Sequence, residues 1–212
     1  MKNKALSIAV IAVACASGIG AQEAGMNALE ALNSALREEP AWQAEYTQEY
    51  VAAGMKAGDE ASGVVVVAFP DHALFRAGGP PGQMMGLDGR LVRLVDLEVP
   101  SCDEHHLDVD EWARVPLAAV LDPRGAVDRF TVLDHGKRGF TLLPREPGGV
   151  DRVDVVLGKN DLPDEVVVVD PQGATNRLQF TAWRPVDGPP DGQWLPEPPP
   201  GLECIGDDRA NF

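Results

Sequence analysis

A mainly β chain of the α+β class, made of short antiparallel strands with one helix ahead of them and one in the middle, is predicted by three observations. Two runs of four valines, Val64 to Val67 and Val166 to Val169, put apolar side chains on both faces of their strands, because a strand turns successive residues to opposite sides. From Ser62 onward, short apolar stretches are divided by turn residues at Pro70-Asp71, Gly78-Gly79-Pro80-Pro81 and Asp88-Gly89. Helical periodicity is confined to two segments, too few to cover both faces of a parallel sheet. Something else must therefore cover the second face, and a sheet curled around an apolar ligand is one answer.

Residues 1–21 have the pattern of a secretion signal: Lys2 and Lys4, an apolar stretch from Ala5 to about Ala16, and small residues ending at Ala21. The stretch is shorter than the about 20 apolar residues that a membrane-spanning helix needs. Ala12, Val13, Ala14 and Cys15 loosely resemble the box before a lipid-modified bacterial cysteine, so anchoring through Cys15 is the alternative to cleavage at Ala21. Residues 22–212 then form a single domain long enough for a substantial core.

The chain carries 33 acidic and 18 basic residues, a formal charge of −15, and loses two of its cations with the signal. No basic patch is left to hold nucleic acid or anionic lipid headgroups. Cys102 and Cys204 are the cysteines outside the signal. In an oxidising compartment they are expected to pair, closing a loop of roughly a hundred residues.

The first helix spans roughly Ala24 to Glu38, where Met26, Leu29, Leu32 and Leu36 recur at three- and four-residue steps, and Pro40 ends it. Trp42, Ala44, Tyr46, Gln48 and Tyr50 alternate with polar residues, which predicts a strand with an aromatic face and a wet one. Asp88-Gly89 predicts a tight hairpin. A second helix is expected from about Asp110 to Leu121, kinked or interrupted at Pro116, with Trp112, Val115, Leu117 and Val120 as its apolar residues. Five more strands follow: Val127 to Leu133, Gly139 to Leu143, Val150 to Leu157, Glu165 to Asp170 and Asn176 to Trp183. The proline-rich tail from Pro185 to Gly201 predicts an extended segment lying along a surface.

One polar cluster invites a metal or catalytic reading: Cys102, Asp103, Glu104, His105, His106, Asp108 and Asp110. Adjacent histidines in a strand point to opposite faces, and the spacing matches no standard zinc pattern, so a solvated segment without metal is expected. No serine sits in a Gly-x-Ser-x-Gly turn and no glycine-rich phosphate cradle is present; His72 and His135 stand beside turn residues. A non-enzymatic protein without cofactor is the expectation.

Taken in order, the segments from Trp42 to Cys204 resemble the periplasmic lipoprotein carrier LolA and its wider superfamily. Trp42-Gln43-Ala44-Glu45-Tyr46-Thr47-Gln48 stands where that family has two spaced aromatics, Thr and Gln. Gly63 to Pro70, Phe75-Arg76, Pro81, Gln83, Asp88-Gly89 and Val95-Asp96 follow the family's glycine, apolar strand, proline, aromatic-centred strand and Asp-Gly turn. Pro116 to Leu121, Phe140 to Pro144, Asp170 to Gly173 and the ending Pro199 to Ile205 fit its later segments. The chain departs from the pattern at Phe69, where members usually carry a basic residue before the proline, and at Val92, Arg93 and Val95, where aromatics are common.

The resemblance implies an unclosed antiparallel half-barrel whose apolar cavity, covered by the N-terminal helix and a short helical lid, takes the acyl chains of lipoproteins. It implies a monomer in the periplasm of a Gram-negative bacterium, handing cargo from an inner-membrane Lol-type ABC exporter to an outer-membrane acceptor. The LolB-like acceptors and other lipid-binding or sensing modules share the fold. On this reading Trp42, Tyr46, Tyr50, Val65, Val67, Phe75, Met84 and Leu91 line the cavity. Leu29, Leu32, Leu36, Trp112 and Leu117 cover it, and which valine of each pair faces inward stays open.

Overall fold

The structure, a computed structural model, describes residues 17–78, 82–108, 111, 123–136 and 138–206. Helix α1 (Ser17–Leu36) precedes strands β1 (Ala41–Val51), β2 (Asp59–Ala68), β3 (His72–Ala77), β4 (Gln83–Asp88), β5 (Leu91–Asp96) and β6 (Ser101–His106). Helix α2 (Pro123–Arg129) leads into β7 (Phe130–Asp134), β8 (Gly139–Pro144), β9 (Arg152–Leu157), β10 (Pro163–Val169) and β11 (Thr175–Val186), and a two-residue β12 (Ile205–Gly206) ends the described chain. The strands form one 12-stranded sheet in the order β12-β6-β5-β4-β3-β2-β1-β11-β10-β9-β8-β7. All neighbours are antiparallel except β12, which lies parallel to β6.

Two meanders thus meet in mid-sheet. The first half of the chain steps outward from β1 to β6, the second steps inward from β7 to β11, and the β1–β11 ladder joins them through pairs such as Tyr46 with Phe180. Each hairpin is short enough for its two strands to pair directly. Between β4 and β5 the pair Asp88–Leu91 closes on Gly89 and Arg90, so the turn begins one residue later than Asp88-Gly89 predicts; Gly89 takes the positive φ of 62°.

Cross-strand partners assign every residue to a face. Tyr46 stands beside Gly63, and Ala44 beside Val65, Phe75, Met85 and Leu94 in successive strands; in the other direction Gln48 neighbours Leu178, Val166, Val155 and Phe140. This is the inner face, against which α1 packs. Leu29, Leu32, Ala35 and Leu36 are buried there with Phe130, Val132, Phe140, Leu142, Val153 and Val155, and Ala126 of α2 joins them. The α1 backbone comes so close to β7 that a Cβ at Gly25 would lie 2.5 Å from the Leu133 carbonyl. Trp42 ties β1 to the same core by donating its indole N–H to the Ala35 carbonyl at 3.1 Å.

The valine runs are resolved by this register. Val65 and Val67, and Val166 and Val168, face inward; Val64 and Val66, and Val167 and Val169, face outward. On the β2–β6 half the outer cover is the proline-rich tail. Outer-face Val66 and Leu74 are 4% and 2% exposed, and a Cβ at neighbouring Gly86 would fall 2.3 Å from the Trp194 carbonyl oxygen. Arg93 donates to the Pro196 carbonyl at 3.1 Å while pairing with Glu104 at 2.6 Å, Arg76 pairs with Asp191 at 3.0 Å, and the Trp194 ring lies 5.1 Å from His72. Beyond it Cys204 is joined to Cys102, which is 3% exposed on the same face. Gly86→Val should lift this strap: we expect a loss of about 1–3 kcal/mol, the usual cost of overpacking, and new protease cleavage after residue 190 under conditions where the parent is intact.

Several boundaries differ from the sequence expectation. Helix α1 starts at Ser17 and runs through Ala21, and the rest of the expected signal, with Cys15, lies outside the described residues. Residues 123–129, predicted to lead into a strand at Val127, are helical, because Ala126 is drawn onto the α1 core before β7 begins at Phe130. The expected central helix, with Trp112 and Leu117, falls outside the described residues apart from Glu111. No helix among the described residues is long and apolar enough to cross a membrane.

Candidate functional site

Helix α1 packs chiefly on β7 and β8 and reaches Trp42 of β1 through Ala35, and a hollow of about 500 Å³ lies over the other end of the inner face. Its floor and walls are Tyr46, Phe75, Ala77, Met85, Leu94 and Leu178, drawn from β1, β3, β4, β5 and β11. Such a volume is that of an ordinary small-molecule site, which runs about 300–1,000 Å³. Met85 and Leu94 are cross-strand partners 36% and 48% exposed, so two large apolar side chains face the opening with nothing among the described residues over them.

Below them the wall is rigid. Val65 is fully buried between Ala44 and Tyr46, with Phe75, Leu178, Phe180 and Trp183 packed against the cluster. The Tyr46 and Phe75 rings meet edge to face at 5.6 Å. Phe180 and Trp183 would point to opposite faces of a regular strand. A bulge opposite Gln43 to Glu45, with Ala182 at φ 55°, brings both onto the same cluster, ring centroids 5.6 Å apart.

One rim of the hollow is polar. Gln48 donates to Asn176 at 2.9 Å, Gln83 donates to Asp96 at 2.7 Å, and Ser101 and Asp103 continue the line. The N–H groups of Val99 and Glu98, with the Gln83 amide, hold the Asp96 carboxyl below the usual carboxylate range, so it is an anion at neutral pH. Burial pushes the Tyr46 phenol up, which keeps it protonated. No Lys, Arg or His is among the described residues lining the hollow.

The residues expected to line a cavity divide into three groups. Tyr46 and Phe75 line the hollow and Val65 supports them from beneath. Trp42 and Val67 face inward but pack toward the α1 core, and Tyr50 lies at the far end of β1, 46% exposed. Leu91 is a correction: it pairs with Asp88, which pairs with His72 on the outer face, so it cannot contribute to the inner wall. Met84 borders the hollow, yet its register with Arg76 and Val95 puts it on the outer face, and Met85 takes the inward position. A one-residue choice within Met84-Met85 decides the face, and no polar neighbour in sequence marks it.

The leucines of α1 expected to cover the cavity lie away from the hollow. Leu29, Leu32 and Leu36 are 0%, 2% and 8% exposed in the core with β7–β9, and none of them lines the hollow. Inner-face Leu94, Leu178 and Met85 were missed by sequence reasoning. Leu94 sits one residue past Arg93, and only the pairing with Met85 shows which of the two faces in.

A second depression, about 750 Å³, is lined by Thr47, Gln48, Glu49, Glu60, Ser62, Arg177 and Gln179. Its polar and charged walls would strip water from no hydrocarbon, so the smaller apolar hollow is the candidate. In the β6 cluster Glu104 is engaged by Arg93, Asp103 and Glu104 face opposite ways, and no group of three His, Cys, Asp or Glu that could hold a metal occurs among the described residues.

Several solved structures are similar to the chain. The chain is 15% identical to a chain of the Pseudomonas aeruginosa MucA/MucB complex, covering 76% of this chain and 56% of that one, with a TM-score of 0.44. It therefore spans little more than half the length of that relative. It is 12% identical to a LolA superfamily protein from Nitrosomonas europaea, covering 81% of this chain and 97% of that one, TM-score 0.43. A DUF1329 family protein from Desulfovibrio piger gives 10% identity, 76% and 92% coverage, and a TM-score of 0.42. No curated protein sequence matches the chain. The profile of the family described as "Outer membrane lipoprotein carrier protein LolA" matches residues 40–193, from the residue before β1 to the strap over the outer face, and on that match the chain belongs to the LolA family.

Proposed function

We propose that the protein is an exported carrier that receives the acyl chains of lipoproteins in its inner-face hollow and ferries them from the inner to the outer membrane. The observation that carries this reading is the hollow itself: an open apolar site of about 500 Å³ beside a solid core, in a chain of this family. On this reading the partners are acylated lipoproteins, a Lol-type inner-membrane exporter and an outer-membrane acceptor, and the compartment is the periplasm.

The physical requirement is to move hydrocarbon through water. Each CH₂ withdrawn from water contributes about 0.8 kcal/mol, so a carrier must keep apolar surface exposed that an ordinary fold would fill. Met85 and Leu94 meet that requirement: nothing among the described residues covers them, and α1 packs elsewhere. The polar rim of Gln48, Asn176, Gln83 and Asp96 stays hydrated and limits how deeply a polar end can follow the chain.

Phe75→Glu places a carboxylate in the wall. Lipid recovered by organic extraction of the purified protein should fall about ten-fold, as expected when one side of a desolvated contact becomes charged, while the far-ultraviolet circular dichroism is retained. Undiminished lipid in a folded Phe75→Glu protein would remove the hollow from the carrier reading.

A further inference from the structure

Resting on the reading that the hollow takes acyl chains, we propose that it selects acyl esters with an uncharged polar end over free fatty acids and other anionic amphiphiles. In this proposal the Tyr46 hydroxyl is the donor that holds the ester carbonyl.

Two independent observations support this. Tyr46 is 3% exposed and lines the hollow, yet its hydroxyl makes no hydrogen bond with a described residue. The oxygen is not sealed in, since no fully enclosed side-chain oxygen among the described residues lacks a partner, so water or a ligand can bond it. It therefore opens into the hollow. The edge-to-face contact with Phe75 fixes the ring, so the O–H is held ready at little entropic cost when a carbonyl arrives.

The second observation is electrostatic. Asp96 and Asp103 stand on the rim, Gln83 and the Gln48–Asn176 pair fill the places between, and the described lining contains no cation. A carboxylate or phosphate at the end of a bound chain would lie beside like charge with nothing to pair with, whereas a glyceryl ester meets amides and a phenol. The site is built to receive a carbonyl and to repel an anion.

The experiment uses the delipidated mature protein with the neutral fluorophore N-phenyl-1-naphthylamine as reporter. Monopalmitoylglycerol and palmitate compete for it at pH 8, where palmitate is ionised. Monopalmitoylglycerol should displace the fluorophore at about ten-fold lower concentration than palmitate. Asp96→Asn with Asp103→Asn should shrink that ratio, and Tyr46→Phe should weaken monopalmitoylglycerol about five-fold relative to the reporter, as loss of one hydrogen bond predicts. Ratios within each variant cancel any loss of folded protein. Equal displacement by both amphiphiles in the parent overturns the selectivity while leaving the acyl site intact; a reporter that does not bind, or that neither amphiphile displaces, overturns both.

Discussion

Replacing Cys102 and Cys204 by serine should cost about 3–5 kcal/mol and lower the melting temperature by roughly ten degrees or more. The bridge spans a sequence separation of 102 residues, so its loss returns a long loop to the unfolded chain, where its closure had been prepaid. There is a folded-state part as well. The bridge fastens the end of the tail that covers Val66, Leu74 and Gly86, and without it the strap depends on Arg76–Asp191, Arg93–Pro196 and the Trp194 contact. Thermal unfolding of the double serine variant, read beside the oxidised and reduced parent, checks the figure. A loss below about 1 kcal/mol would mean that the strap holds without its clasp.

Phe140→Ala and Leu32→Ala form the second test, because they decide what α1 is for. Both residues are essentially without exposure and meet in one core, so truncating Phe140 should cost about 3–5 kcal/mol and Leu32 about 2–5 kcal/mol. A detachable lid would behave otherwise: Leu32→Ala would leave stability nearly unchanged and alter lipid retention. Denaturant unfolding together with lipid extraction separates the two outcomes, and the packing of α1 on β7 and β8 leads us to expect the first.

The fold was legible where local pattern and global role agree. The alternation from Trp42 to Tyr50 became β1, the paired valine runs became strands covered on both sides, and the prolines of the tail produced an extended strap. Faces were legible only where polarity alternated. In Met84-Met85 and in Leu91-Val92 both residues are apolar, so sequence assigns no inner member, and the register carried from Tyr46 through Phe75 decides it. The destination of α1 was hidden for a different reason. Its leucines announce an apolar stripe but not which part of a long sheet receives it, and the β7–β9 end wins because Phe140, Leu142, Val153 and Val155 there offer an unbroken apolar surface. Trp183 was obscured by the bulge at Ala182, which cancels the strand period that a sequence reading relies on.

The meeting of the two meanders at β1 and β11 has a consequence for how the protein comes into being. Partners such as Gln48 and Asn176 are separated by 128 residues, so the central seam cannot zip until nearly the entire polypeptide is present. Non-local pairing of this kind slows folding. If the chain is exported as the proposed function requires, it would arrive across the membrane before this seam can form, and the hollow would be complete only once β11 had docked against β1.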